Sequence, residues 1–405
     1  MWEQIRSNRI RSVVLVAVMA VLLLLIGYVL GLTFFDSAAG GLVVAMIVWG
    51  IMSLVAYFQG DSILLSLSGA RKITRDDYPR LYNVVEEMKI ASGLARVPDI
   101  YIIDDPALNA FATGRNPDKA SVAITSGLLQ KLNRDELQGV IGHEISHIRN
   151  RDVLLMAICS VMLGTIVILA WYASRFLIFG GATRSRRSSS GGGQAQIIIL
   201  AVGLVLMILA PIMAQFVYFA ISRKREYLAD ASSALYTRYP EGLASALEKL
   251  GASTAELKSA NKATAPMYIV NPFSHGAQSL NNLTSTHPPL TERVRILRGM
   301  AGGASLADYD QAYRQVRSAH KGMMSTAAVA AAGAVGLRAA SAPELAGEAA
   351  KAEKVERARE VSDVMLRLNN YQTIPCDCGA KLKIPPGYRY SEVQCPRCGR
   401  VHPIK

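Results

Sequence analysis

Four long apolar runs constrain this 405-residue chain more than any other feature: Val13–Leu32, Gly41–Phe58, Val153–Gly180 and Ile197–Ile221. Each reaches or nearly reaches the ~20 residues that a helix needs to cross a hydrocarbon core. The first run is too long for a secretory core, and no small-residue cleavage site follows it, so it reads as an anchor and not a signal peptide. Hydrophobic residues make up 51% of the chain and charged ones 19%, which is apolar for a soluble protein. The expectation is an integral membrane protein with four transmembrane helices, and its length allows two or three units at roughly 100–200 residues per domain.

A net charge of +13 invites a nucleic-acid reading, but the distribution of the basic residues argues against it. They gather at the ends of the apolar runs: Arg6, Arg9 and Arg11, then Arg71, Lys72 and Arg75, then Arg149 and Arg151, then Arg223, Lys224 and Arg225. With four spans all eleven fall on one side, against Arg175, Arg184, Arg186 and Arg187 on the other. The positive-inside rule makes the richer side the cytosol, with both termini there. No nucleic-acid partner is expected. Of five cysteines, Cys159 lies within an apolar run. The other four crowd into the last 30 residues, which suits a metal site in a reducing compartment better than disulfides.

The runs divide the chain. Residues 1–60 form a transmembrane hairpin, 61–152 the first part of a soluble domain, 153–221 a second hairpin, and 222–320 the domain's second part. An Ala-rich linker or marginal helix covers 321–370, and 371–405 form a small separate unit. Leu81, Val84, Val85 and Met88 repeat at helical spacing, whereas "DIYIIDD" and "ASVAITSGLL" read as strands joined across a turn in "NAFATGRNPDK". Asn133 and Glu136 make a capping pair for a helix whose apolar face is Leu137, Val140, Ile141 and Ile148.

That helix carries "GHEISHIRNRD". His143 and His147 are one turn apart on one face, a spacing that lets both imidazoles reach one tetrahedral Zn²⁺ at about 2.0–2.1 Å. Glu144 stands beside the metal, placed to take a proton from water acidified to a pKa of roughly 7. The motif is short, and an amphipathic helix with exposed histidines is the bland alternative. A third ligand must come from elsewhere, because Asn150 and Val153 stand where a histidine-extended motif would need glycine and histidine. "REYLAD" offers Glu226 as a ligand and Asp230 as a hydrogen-bond partner for a ligand histidine. The same two carboxylates could instead balance Arg223, Lys224 and Arg225 as surface ion pairs.

With "SRKREYLADASSA", "NAFATGRNPDKASVAITSGLL" and "STHPPLTERVRIL" in the same order, residues 1–300 resemble the HtpX family of membrane zinc metalloproteases, relatives of the CAAX prenyl proteases. The resemblance implies a cytosol-facing endopeptidase of membrane-protein quality control in the inner membrane. It implies zinc held by His143, His147 and Glu226, with Glu144 as general base, and misfolded or damaged membrane proteins as polypeptide substrates. It also makes Asn109, Ala110 and Phe111 the start of an edge strand that receives extended substrate. His287 and Arg293 would line the site, His287 donating to the oxyanion; a Pro-stiffened loop that starts a helix is the plain reading of the same residues.

The C-terminus departs from that pattern. "CDCGAKLKIPPGYRYSEVQCPRCGR" looks like a zinc ribbon, with Cys395 and Cys398 at the usual gap. Only one residue separates Cys376 from Cys378, which leaves His402 as a substitute ligand. Two zinc ions are expected, one catalytic and one structural. The fold expected is mostly α with a small β element: four membrane helices, a zincin-like α+β domain interrupted by a membrane hairpin, and the ribbon. A prenyl-protease-like processing enzyme is the nearer enzymatic alternative, and a non-catalytic zinc-binding membrane scaffold is the alternative from another class. Charged flanks on the histidine helix exclude a site-2-type protease, whose metal helix lies within the bilayer.

Overall fold

A computed structural model describes residues 2–34, 37–154, 156–157, 223–258, 260, 264, 267–270, 288–300, 302–318, 322–324, 326–330, 333–341 and 347–404, with positions 171, 208 and 212. Most of the third and fourth apolar runs, together with Cys159 and His287, lies outside the described residues.

Two long helices open the chain, α1 (Trp2–Phe34) and α2 (Ala38–Leu67). They pack closely because small residues meet: a β-carbon added to Gly31 would lie 2.7 Å from the Gly41 Cα. Over its most apolar stretch α2 has a mean hydropathy of 2.2, long and apolar enough to cross a membrane. Val43, Val44, Ile47, Ile51 and Leu54 stay exposed on it, a face suited to lipid. The helix does not stop at residue 60 as the sequence suggests. It runs on to Leu67, because Leu64 and Leu65 pack against Ile103, Phe111 and Ala123.

Beyond α2 come β1 (Ala70–Ile73), α3 (Pro79–Ser92), β2 (Asp99–Ile103), β3 (Ala110–Asn116), β4 (Lys119–Thr125), α4 (Ser126–Lys131) and α5 (Arg134–Arg149). The strands form one sheet in the order β1-β2-β4-β3, with β2 and β4 parallel and the other pairs antiparallel. The turn residues of "NAFATGRNPDK" are thus mostly a strand, β3, which forms the edge. Helix 223–237, labelled α6, is followed by α7 (Pro240–Gly251), α8 (Leu290–Arg298) and α9 (Leu306–Arg317).

The core lies between sheet and helices. Leu81, Val84, Val85 and Met88 of α3 and Leu137, Val140, Ile141, Ile145 and Ile148 of α5 meet Ile100, Val122 and Ile124 of the sheet and Leu243 and Leu247 of α7. The expected cap is present: the Glu136 N–H donates to Asn133 Oδ1 and the Asn133 N–H to Glu136 Oε2, both at 2.9 Å.

The Ala-rich segment is no simple linker. Arg338 Nη2 donates to Asp135 Oδ1 and to Gln138 Oε1, each at 2.7 Å, and its Nε donates to the Thr237 carbonyl at 2.7 Å. Helix α10 (Gly347–Leu368) buries Val361, Val364 and Met365 in the main core. Single polar anchors fix the segment here, which composition does not reveal. The C-terminal unit has two hairpins, β5 (Gln372–Pro375) with β6 (Lys381–Ile384) and β7 (Glu392–Gln394) with β8 (Val401–Pro403).

Candidate metal centre

The geometry of α5 brings His143 and His147 together and makes their Nε2 atoms meet at 3.3 Å. Helix α6 delivers Glu226 opposite them, 3.5 Å from His143 Nε2 and 3.5 Å from His147 Nε2. Zinc bonds of about 2.0–2.1 Å at tetrahedral angles set ligand atoms about 3.3–3.4 Å apart. The donor set therefore fits zinc in both type and spacing. All three residues are buried, which removes the exposed-histidine and surface ion-pair readings.

Glycines allow the helices to come this close. A β-carbon on Gly139 would sit 2.6 Å from the Leu243 backbone N of α7, and one on Gly142 would sit 3.0 Å from Ser233 Oγ of α6. Ser233 Oγ then donates to the Gly139 carbonyl at 2.7 Å, locking α6 against α5.

Each of these two histidines has a carboxylate behind it. His143 Nδ1 lies 2.9 Å from Asp230 Oδ1, and His147 Nδ1 lies 3.3 Å from Asp152 Oδ2. An Nδ1–H donated to carboxylate leaves the Nε2 lone pair for a metal. Asp230 was legible one turn after Glu226, whereas Asp152 was not singled out from the sequence. Its signal was the "RNRD" that ends the motif. Arg151 takes a left-handed φ of 60°, which turns the chain so that Asp152 comes beneath His147.

Arg293 of α8 is fully buried and does not line an open site. Its Nε donates to Asp230 Oδ2 at 2.8 Å and its Nη2 to Asp230 Oδ1 at 2.6 Å, with Nη1 3.7 Å from Glu226 Oε2. Burial opposes charge on Asp230, but Arg293 and His143 outweigh it and hold the carboxyl below the usual carboxylate range. Burial likewise opposes charge on His143, yet its bonds to Asp230 and Glu226 push its pKa up to about 9. That anionic surround is one a dication would complement.

Glu144 sits beside the histidines with 2% of its surface exposed. Burial pushes its carboxyl up, against the opposing pull of the two imidazoles and of the nearby Ala112 N–H of β3. Ala110 and Phe111 open that same strand, and Asn109 immediately precedes it.

The four C-terminal cysteines also converge. Sγ atoms of Cys376 and Cys398 are 3.5 Å apart, those of Cys378 and Cys376 3.5 Å, and those of Cys378 and Cys395 3.6 Å. A disulfide needs about 2.05 Å, and four thiolates around zinc about 3.8 Å. The shortened knuckle keeps Cys376 in the set, and His402 stands outside it on β8.

Residues 76–301 match the family model described as Peptidase family M48. A protein of Dictyoglomus thermophilum named Protease HtpX homolog is 44% identical over 307 residues, covering 76% of this chain and 97% of that one. Another of the same name from Streptococcus uberis is 42% identical over 300 residues, covering 74% and 100%. The solved structure of S. mikatae Ste24p overlaps at a TM-score of 0.40 and 21% identity, over 73% of this chain and 67% of that chain. Residues 302–405, including the cysteine cluster, lie beyond the family match. This chain is a zinc metalloprotease and belongs to peptidase family M48.

Proposed function

We propose that the chain is a membrane-embedded endopeptidase whose zinc is held by His143, His147 and Glu226 and whose general base is Glu144. The observation that carries this reading is the near-tetrahedral spacing of the three donors beside a buried Glu144. Zinc held there would acidify a water and polarise the scissile carbonyl. Glu144 would take a proton from the attacking water as its oxygen adds to the carbonyl carbon, and would return it to the departing amine when the C–N bond breaks. Asp230 and Asp152 keep both imidazoles in the ligating tautomer, and Arg293 holds Asp230 and Glu226 in place. His287 and the strand at Asn109, Ala110 and Phe111 are assigned to the oxyanion and to substrate by resemblance.

The domain order supports four membrane spans with the metal centre and both termini on the cytosolic face of the inner membrane, as the eleven basic residues favour. The protease relatives support polypeptide substrates, and misfolded or damaged membrane proteins are the substrate class that the resemblance implies. A second, structural zinc in the ribbon is supported by the four converging thiols.

The test is casein cleavage by detergent-purified protein. Wild type should cleave, and Glu144→Gln should keep its zinc and lose about 10²–10⁴-fold in rate. Undiminished cleavage by Glu144→Gln would instead support the scaffold.

A further inference from the structure

Alternation along β3 determines which backbone groups face away from β4. The Thr125 N–H donates to the Asn109 carbonyl, and Ala110, Ala112 and Gly114 pair with Ile124, Val122 and Ala120. In an antiparallel ladder, the N–H and C=O of alternate residues point outward. Those of Ala110, Ala112 and Gly114 therefore face the open edge.

The first of these positions is already filled by the chain itself. The Ile269 N–H donates to the Ala110 carbonyl at 3.0 Å, and Asn109 Oδ1 accepts from the Ala110 N–H at 3.1 Å. Asn109 then clamps the next residue of the same segment: its Nδ2 donates to the Val270 carbonyl at 2.8 Å, and its Oδ1 accepts from the Val270 N–H at 3.3 Å. Tyr268 stacks edge-on against Phe111 at 5.1 Å, and its hydroxyl lies 3.2 Å from Ser68 Oγ at the end of α2. Met267, Tyr268 and Ile269 are 3%, 0% and 1% exposed. Undocking the segment would expose three large side chains at once, which makes it a fixed part of the fold and not a displaceable plug.

We infer that Met267–Val270 is a register stop: it closes the edge strand at Ala110, so that extended substrate pairs only from Ala112 onward. Helix α5 packs against β3 and brings Glu144 close to the Ala112 N–H, which puts the reacting bond near Ala112. Alternate strand residues are about 7 Å apart, so the groove ends about two residues from that point on the Ala110 side. On the other side the Ala112 carbonyl and the Gly114 peptide have no backbone partner among the described residues. The enzyme should therefore grip substrate unequally on the two sides of the scissile bond. This inference rests on the proposed role of Glu144.

A peptide ladder tests it. A cleavable peptide is lengthened one residue at a time at either end, and full-length zinc-loaded enzyme is assayed with product masses read. On one side kcat/KM should stop rising, within twofold, after about two residues, while additions on the other side should continue to raise it severalfold. Asn109→Ala, which releases Val270, should move the plateau outward by at least one residue. Equal gains over four residues on both sides would overturn the inference while leaving the base assignment intact. That assignment fails separately if Glu144→Gln cleaves the ladder as well as wild type.

Discussion

Behind each imidazole of the metal centre stands a carboxylate, and behind each carboxylate a buried guanidinium, Arg293 at Asp230 and Arg225 at Asp152. Asp230→Ala and Asp152→Ala should each weaken zinc binding about 10–100-fold, measured by competition with a chelator. Arg293→Ala leaves the Asp230 charge buried without its bidentate partner and should destabilise the fold by about 3–5 kcal/mol in denaturant unfolding. Arg293→Lys should recover little of that, since an ammonium cannot reproduce the paired bonds at 2.6 and 2.8 Å. The histidine pair was legible in the sequence because helical spacing fixes it, and so was Glu226 beside Asp230. Asp152 was not, because its approach depends on the left-handed turn at Arg151, and arginine gives no local sign of that. Arg293 was expected beside the site, but its inward direction is a property of the α8 packing.

Between elements, close approach decides the architecture. Gly139→Val should push α7 away from α5 and, because α6 is held on the same helix, lower zinc affinity and stability together. Gly31→Leu should splay α1 from α2, detectable as increased cross-linking or proteolysis in detergent. The strap from the C-terminal part adds a pH-dependent contact. Burial opposes charge on Asp135, but Ser341 and Arg338 hold its carboxyl below the usual range. A carboxyl lowered in this way stabilises the fold above its unfolded value of about 3.9 and loses that contribution as pH falls through the folded one. The difference in melting temperature between wild type and Asp135→Asn should be steady near neutral pH and close below about pH 4. The capping box, the α3 face and strands β2 and β4 follow directly from sequence period. The strap does not, since its anchors are single polar side chains in a segment of low complexity.

At the scale of the whole molecule, α2 links a stretch long and apolar enough to cross a membrane to the metal centre. Thirty residues of helix span about 45 Å against a hydrocarbon core of about 30 Å, so its last turns reach the sheet. There Leu64 and Leu65 join the cluster that contains Phe111 and Tyr268, which ties the span to the edge strand beside Glu144. Hydropathy marked the span but not its continuation, because the final turns are buried by partners distant in sequence. The central claim, that two separate zinc sites are built from the named ligands, is tested most directly by metal content per chain. Wild type should hold two zinc ions, Glu226→Ala one with cleavage lost, and Cys395→Ser/Cys398→Ser one with cleavage retained. Two ions retained by folded Glu226→Ala would contradict the account.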